Sequence, residues 1–209
     1  ELARAVQKSP GLVFRGLMGY DGHCTTKISE ADREECSTHA NQVLADTRQY
    51  LEDAGVGCEI VSAAGTFTYR FAAEVAGITE IQAGSYLLMD TAYRDFGVRE
   101  FECTLTVMST VISRPIYPGA KGLLIVDTGR KAISTMLGNP EVKRPKAARV
   151  LTLSDEYGRV VLENEADPIK VGDKVEFWVR DANGTLNQFD RVYAVRNERV
   201  EAVWEIRLC

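Results

Sequence analysis

Three short segments carry residues whose types and spacing could do chemistry. Tyr20 and His23 stand in Gly19-Tyr20-Asp21-Gly22-His23, Gly65, Thr66 and Thr68 in Gly65-Thr66-Phe67-Thr68, and Gly84, Ser85 and Tyr86 in a third run. Glycine lets a backbone approach an anion closely, and the N–H groups and hydroxyls that follow can ligate phosphate oxygens. Each segment taken alone is also ordinary turn chemistry. Together, and without a Walker or dinucleotide glycine pattern, they predict a site for a phosphate-bearing cofactor rather than for a nucleoside triphosphate.

Such loops need strands to hold them. The apolar run Leu12 to Met18 follows Pro10-Gly11 and predicts a buried strand. Ser29, with Asp32 three residues on, predicts the start of a long helix whose apolar positions are Cys36, Ala40, Val43, Leu44, Leu51 and Ala54, ended by Gly55. Cys58 to Ser62 predicts a second strand, Tyr69 to Ala76 a short helix closed by Gly77, and Glu80 to Gln82 a third strand. This repetition of strand, loop and helix implies βα units around a parallel sheet, whose ligands bind at the carboxyl ends of the strands.

From Glu100 onward the sequence reads as all-β. Strands are predicted at 103–113, 122–126, 148–153, 160–162, 175–179, 192–195 and 200–206, rich in Val, Ile and Thr. Tyr157-Gly158, Gly172-Asp173, Asn183-Gly184 and Asn197-Glu198 are the turn signals between them, which suggests an antiparallel sandwich or barrel. A short helix is expected near Lys131 to Leu137. The fold class is therefore α/β plus all-β, with domains at 1–99 and 100–209.

Composition narrows the function classes. Among 209 residues, 25 Lys and Arg stand against 30 Asp and Glu, a net charge of −5 that argues against nucleic-acid backbone binding. No window approaches the roughly 20 apolar residues of a membrane span. The start, Glu1-Leu2-Ala3-Arg4-Ala5-Val6, lacks both the pattern of a signal peptide and an initiator Met, so the chain is expected to begin inside a longer coding sequence. The five cysteines, Cys24, Cys36, Cys58, Cys103 and Cys209, are scattered, with no Cys-x-x-Cys pair, and are expected to be reduced thiols in a cytoplasmic protein.

In this order and spacing the segments resemble those of the D-threonine aldolase and D-serine dehydratase family. Gly16-Leu17-Met18-Gly19-Tyr20-Asp21-Gly22-His23 is similar to its Gly-x-x-Gly-Tyr-x-Gly-His, and Ser62-Ala63-Ala64-Gly65-Thr66-Phe67-Thr68 to its Ser-Gly-Gly-Gly-Thr-Pro-Thr. Glu80-Ile81-Gln82-Ala83-Gly84-Ser85-Tyr86 with Met89-Asp90 resembles its Glu-x-x-Pro-Gly-Ser-Tyr, and Asp127 to Ala132 its Asp-x-Gly-x-Lys-Ala turn. The resemblance implies a partial (β/α) barrel of the alanine-racemase type followed by an antiparallel β domain. It also implies a pyridoxal 5'-phosphate lyase acting on D-configured β-hydroxy amino acids, with Tyr20, Gly65, Thr66, Gly84, Ser85 and Tyr86 around the cofactor and His23 in a catalytic role.

The same resemblance implies a divalent metal (Mn, Mg or Zn) beside the cofactor. The family's His-x-Cys or His-x-Asp ligands align here with Asp181-Ala182-Asn183, oxygen donors that suit Mg, Mn or Ca. The alternative for Asp181 and Asn183 is a plain hairpin turn. Asp155-Glu156-Tyr157-Gly158 replaces a Glu-Glu-His-Gly stretch, so a second imidazole is gone, and Lys131 is read as a surface lysine rather than a Schiff-base lysine. The family's Schiff-base lysine lies before Glu1, and a complete barrel takes about 250 residues. The expected partners are therefore a small D-amino acid, a missing N-terminal barrel segment or complementary chain, and a second copy in a homodimer. A non-catalytic binding subunit of the same fold, and an amino-acid racemase, are the alternatives.

Overall fold

The computed structural model describes residues 1–25, 29–164 and 168–207. Two units emerge, Glu1–Leu87 with Phe96–Val98, and Leu88–Asp95 with Arg99–Cys209.

The first unit opens with α1 (Leu2–Lys8) and β1 (Gly16–Gly19), followed by a 3₁₀ turn at Gly22–Cys24 and α2 (Glu30–Asp53). Then come β2 (Ile60–Ala63), α3 (Tyr69–Ala73), β3 (Glu80–Ile81) and a second 3₁₀ turn at Ser85–Leu87. The strands form a parallel sheet in the order β1-β2-β3, with Gly16 opposite Ile60 and Ser62 opposite Glu80. A Cβ on Gly16 would lie 1.7 Å from the Ile60 carbonyl oxygen, so only glycine lets these two backbones pair. β1 is shorter than the apolar run predicts, because Leu12 and Val13 lie exposed outside the sheet.

Ser29 caps α2 as its sequence predicts, its hydroxyl accepting the Asp32 N–H at 3.0 Å. The buried face of α2 differs from the apolar one expected. Arg33, Ser37, Asn41 and Ala45 form the buried stripe at i,i+4 spacing, while Val43 is exposed.

The second unit begins with α4 (Thr91–Asp95), which the sequence reading missed, and β4 (Thr106–Ser113). It continues through β5 (Leu123–Val126), β6 (Glu141–Arg144), β7 (Ala148–Leu153), β8 (Gly158–Leu162) and β9 (Lys174–Trp178) to α5 (Ala182–Leu186) and the hairpin β10 (Arg191–Arg196) and β11 (Arg199–Glu205). Six strands make one antiparallel, barrel-like sheet in the order β6-β9-β4-β5-β8-β7. β4 serves both halves, pairing through Thr106–Thr110 with β9 and through Val111 and Ser113 with β5. Its period-2 pattern puts Val107 and Val111 into a core with Leu124, Val126, Val160, Val175 and Phe177.

Three expectations for this unit are corrected. Residues 131–137 form no helix: the Arg130 and Lys131 N–H groups donate to the carbonyls of Ser154 and Asp155, which ties the segment to a neighbouring loop. Gly129 permits this approach, since a Cβ there would lie 2.4 Å from the Asp155 carbonyl oxygen. Asn183-Gly184 lies inside α5 rather than at a hairpin end, because Asp181 caps that helix. β6 is a strand without a sequence signal, since Glu141-Val142-Lys143-Arg144 carries one apolar residue among charges. Its place at the sheet edge tolerates them, with Lys143 bonding Glu176 at 2.8 Å and lying over the Trp178 ring. At the other turn signal, Asn197 and Glu198 do join β10 to β11, with φ of 49° and 61°.

Among the described residues, no helix is long and apolar enough to cross a membrane.

Two outcomes follow for stability. Phe177 is fully buried, so Phe177→Ala leaves a cavity and lowers unfolding free energy by about 3–5 kcal/mol, read by denaturant titration. Burial pushes the Asp127 carboxyl up, but the Thr110 N–H (2.7 Å) and Ser109 hydroxyl (2.8 Å) outweigh it and hold it below the usual range. Its stabilisation is therefore present above about pH 4 and lost as pH falls through the depressed folded value. Asp127→Asn removes about 1 kcal/mol at pH 7, discounted for its exposure, and flattens the acid limb of a stability–pH curve.

Candidate functional site

The loops after β1, β2 and β3 all leave the carboxyl ends of adjacent parallel strands, and the structure brings them together within the first unit. The Tyr20 ring lies between two glycines. A Cβ on Gly22 would stand 2.7 Å from one edge of it and a Cβ on Gly65 3.0 Å from the other, so the ring keeps this position between the two backbones because both residues lack side chains. The Tyr86 N–H donates to the Thr66 hydroxyl at 3.2 Å, which joins the second loop to the third. Thr66 is buried, Ser85 half-buried, and Gly84, Tyr86 and Tyr20 exposed. The result is a rim of hydroxyls and small residues with an aromatic ring beside it.

Beneath this rim lies a polar cluster centred on Asp21, which is 1% exposed. Its carboxylate accepts from the Ser37 hydroxyl at 2.6 Å, the Thr68 hydroxyl at 2.9 Å and, more weakly, the Asn41 amide at 3.4 Å. Thr68 in turn accepts the Gly65 N–H at 3.3 Å. Asp21 therefore ties the first loop to α2 and to the second loop, and it explains the polar stripe of α2. Ala64, fully buried at the end of β2, has φ of 57°. It occupies a left-handed conformation at a position where the resembling segment has glycine, a local strain held by its surroundings.

His23 is the exposed residue of the 3₁₀ turn, with its Nε2 3.5 Å from the Cys24 sulfur. Cys24 is not a free thiol: it is bonded to Cys36, which corrects the expectation of reduced cysteines throughout. The turn after β1 and the first turns of α2 approach to a Cα–Cα distance of 5.6 Å, within disulfide range. Spacing alone gave no signal of it, because the two cysteines are 12 residues apart. His39 is exposed on α2.

In the second unit Asp181 is buried and fully engaged. One carboxylate oxygen accepts the Gly184 N–H at 3.0 Å, capping α5, and the other accepts the Ser134 hydroxyl at 2.5 Å. Asn183 is an exposed residue of the first turn of α5. Asp90 is buried nearby, and burial pushes its carboxyl up, against the bonds it accepts from the Tyr93 and Ala182 N–H groups. Among the described residues, neither acid belongs to a His, Cys, Asp or Glu cluster of metal-ligating geometry. Lys131 is exposed and paired with Glu156, as a surface lysine would be, and that carboxylate raises its pKa.

Comparison with known proteins gives these features a setting. Residues 104–195 match the family described as "Putative serine dehydratase domain". Over 98% of its length the chain is 31% identical to a D-threonine aldolase of an Arthrobacter species, covering 54% of that protein. It is also 31% identical over 99% of its length to a 3-hydroxy-D-aspartate aldolase of Paracoccus denitrificans, again covering 54%. The solved D-threonine aldolase from Filomicrobium marinum superposes with a TM-score of 0.89 at 31% identity, over 98% of this chain and 55% of that one. An alanine racemase of Clostridium difficile, at 16% identity and a TM-score of 0.59, shares the fold alone. The predicted fold class, a partial barrel of the alanine-racemase type followed by an antiparallel β domain, is the one observed. The chain spans about half the length of the curated relatives it matches, and over nearly its whole length it resembles the D-threonine aldolases and 3-hydroxy-D-aspartate aldolases, with residues 104–195 matching the serine dehydratase domain.

Proposed function

We propose that the intact protein carrying this chain is a pyridoxal-phosphate-dependent lyase that cleaves or dehydrates D-configured β-hydroxy amino acids. The supporting observation is the meeting of three strand-end loops, with Tyr20 against Gly65 and the Thr66 hydroxyl bonded to the Tyr86 N–H. The donor chemistry fits the cofactor. Thr66 and Ser85 can donate hydroxyls to a phosphate, Gly65 and Gly84 bring backbone close, and Tyr20 offers an aromatic wall with a phenol at its edge. When bound, pyridoxal phosphate supplies the electron sink for cleavage at Cα–Cβ or Cβ–O. This chain's part would be to hold the phosphate end with Thr66 and Ser85, to set an aromatic wall beside the cofactor with Tyr20, and to keep the loops in register through Asp21. The covalent lysine comes from outside this chain, from a barrel segment or a companion chain, in a cytoplasmic homodimer.

Asp181 and Asn183 do not fit a metal as they stand: Asp181 is buried and engaged by Gly184 and Ser134, Asn183 is exposed, and among the described residues Asp181 belongs to no His, Cys, Asp or Glu cluster of metal-ligating geometry. The same engagement favours a second reading, a non-catalytic subunit that keeps the cofactor cradle.

The deciding experiment incubates the intact protein and pyridoxal phosphate with D-threonine, D-serine and their L-isomers, with and without Mn, Mg or Zn. Acetaldehyde with glycine, or pyruvate with ammonia, from the D-isomers alone supports the lyase. A visible cofactor band with no turnover under any condition supports the binding subunit, and no cofactor binding at all overturns both. Thr66→Ala and Ser85→Ala each weaken pyridoxal phosphate about tenfold in equilibrium titration, the loss of one hydrogen bond to a charged group. Asp21→Asn puts amide hydrogens against either the Ser37 or the Thr68 hydroxyl, which bond opposite oxygens of the carboxylate. It lowers stability by about 2–3 kcal/mol in denaturant titration and weakens cofactor binding with it, since Gly65 hangs on Thr68.

A further inference from the structure

His23, Cys24 and Cys36 form a cluster that the lyase reading does not use. One ligand atom from each, the imidazole nitrogen and the two sulfurs, lies within 4.8 Å of the other two. The two cysteines are bonded to each other, with Cys24 fully buried, Cys36 half-buried and His23 facing solvent. We propose that this cluster is a redox-gated metal site: a disulfide when oxidised and, when reduced, a His-Cys-Cys site for one zinc-class cation.

The geometry is close to what such an ion needs. With Zn–S bonds near 2.3 Å and Zn–N near 2.0–2.1 Å, a tetrahedral site has N···S edges of about 3.6 Å and an S···S edge of about 3.7 Å. The His23 Nε2 to Cys24 Sγ distance is already 3.5 Å. Reduction must open the distance between the two sulfurs and bring the His23 nitrogen and the Cys36 sulfur, which lie within 4.8 Å of each other, to about 3.6 Å, with Cys36 half-buried in the second turn of α2. An imidazole with two thiolates is a borderline-soft donor set that selects zinc-like ions over Mg or Ca. Three protein ligands leave the fourth position for water.

The exchange balances with a low-molecular-weight thiol as reductant. Two such thiols give two electrons and two protons to the Cys24–Cys36 bond, yielding two protein thiols and one small disulfide. The cation then displaces the two thiol protons, and reoxidation by a low-molecular-weight disulfide, which takes the two electrons and leaves as two small thiolates, re-forms the Cys24–Cys36 bond and expels it. His23 thereby acquires the role of a ligand rather than an acid–base group. The 3₁₀ turn that carries it follows directly on Tyr20 and Asp21.

The test uses the full-length protein and Co(II) as probe, read as a difference spectrum that cancels any cofactor band. After reduction by a phosphine, one equivalent of Co(II) is expected to give a thiolate-to-cobalt charge-transfer band with tetrahedral visible bands, all displaced by Zn(II). The unreduced protein gives none. His23→Ala, on an exposed turn, and Cys36→Ser each weaken binding at least tenfold, while a Cys58→Ser/Cys103→Ser/Cys209→Ser triple variant keeps the band. Absence of the band in reduced wild-type protein with unchanged far-UV circular dichroism overturns the proposal. Its persistence in Cys36→Ser or in His23→Ala does so equally. Because the readout is metal binding rather than turnover, it fails or succeeds independently of the lyase assignment.

Discussion

The arrangement of the first unit depends on one buried carboxylate. Asp21 follows β1 by two residues, where a loop could leave the sheet in many directions. A carboxyl group withdrawn from water is costly unless hydrogen-bond donors surround it, and here donors come from α2 and from the loop after β2. That requirement fixes which face of α2 turns inward, and it locks the second loop through Thr68. The site above is therefore built on a polar foundation rather than an apolar one. The strained Ala64 next to Gly65 is tolerated because the residues on either side of it are held.

Much of this was legible in the sequence. The alternation of short apolar runs with glycine- and hydroxyl-bearing loops marks the parallel sheet and its ligand end, since each loop announces itself by local chemistry. The Ser29 cap and the Asn197-Glu198 turn were readable for the same reason. What failed were features decided by distant partners. Nothing near Ser37 and Asn41 says that they face Asp21. Asn183-Gly184 has strong hairpin character, yet Asp181 and Ser134 recruit it into a helix, where a Cβ on Gly184 would lie 2.3 Å from the Asp181 carboxylate. β6 is charged along most of its length and becomes a strand through its pairing with β9. The Cys24–Cys36 bond depends on how α2 returns past the turn after β1, which spacing does not encode.

Two kinds of donor share the region after β1. Tyr20 and the neighbouring hydroxyl loops offer hard oxygen and N–H groups suited to an anion, whereas His23 and the two sulfurs offer soft ones suited to a cation. A single five-residue stretch, from Tyr20 to Cys24, thus faces two chemistries at once. Segregation by burial keeps them apart, with the Cys24 sulfur inside and the Tyr20 ring at the surface.

The divided loyalty of β4 has a consequence for how the second unit opens. Its first five residues pair with β9 and its last with β5, so no half of the sheet owns it. Peeling either half away strips hydrogen bonds from a strand that the other half also needs, and exposes Val107 or Val111 from the common core. The sheet consequently behaves as one cooperative unit, whose central amides exchange with solvent only through global opening. The two-stranded β10–β11 hairpin, outside that ladder, can fray on its own.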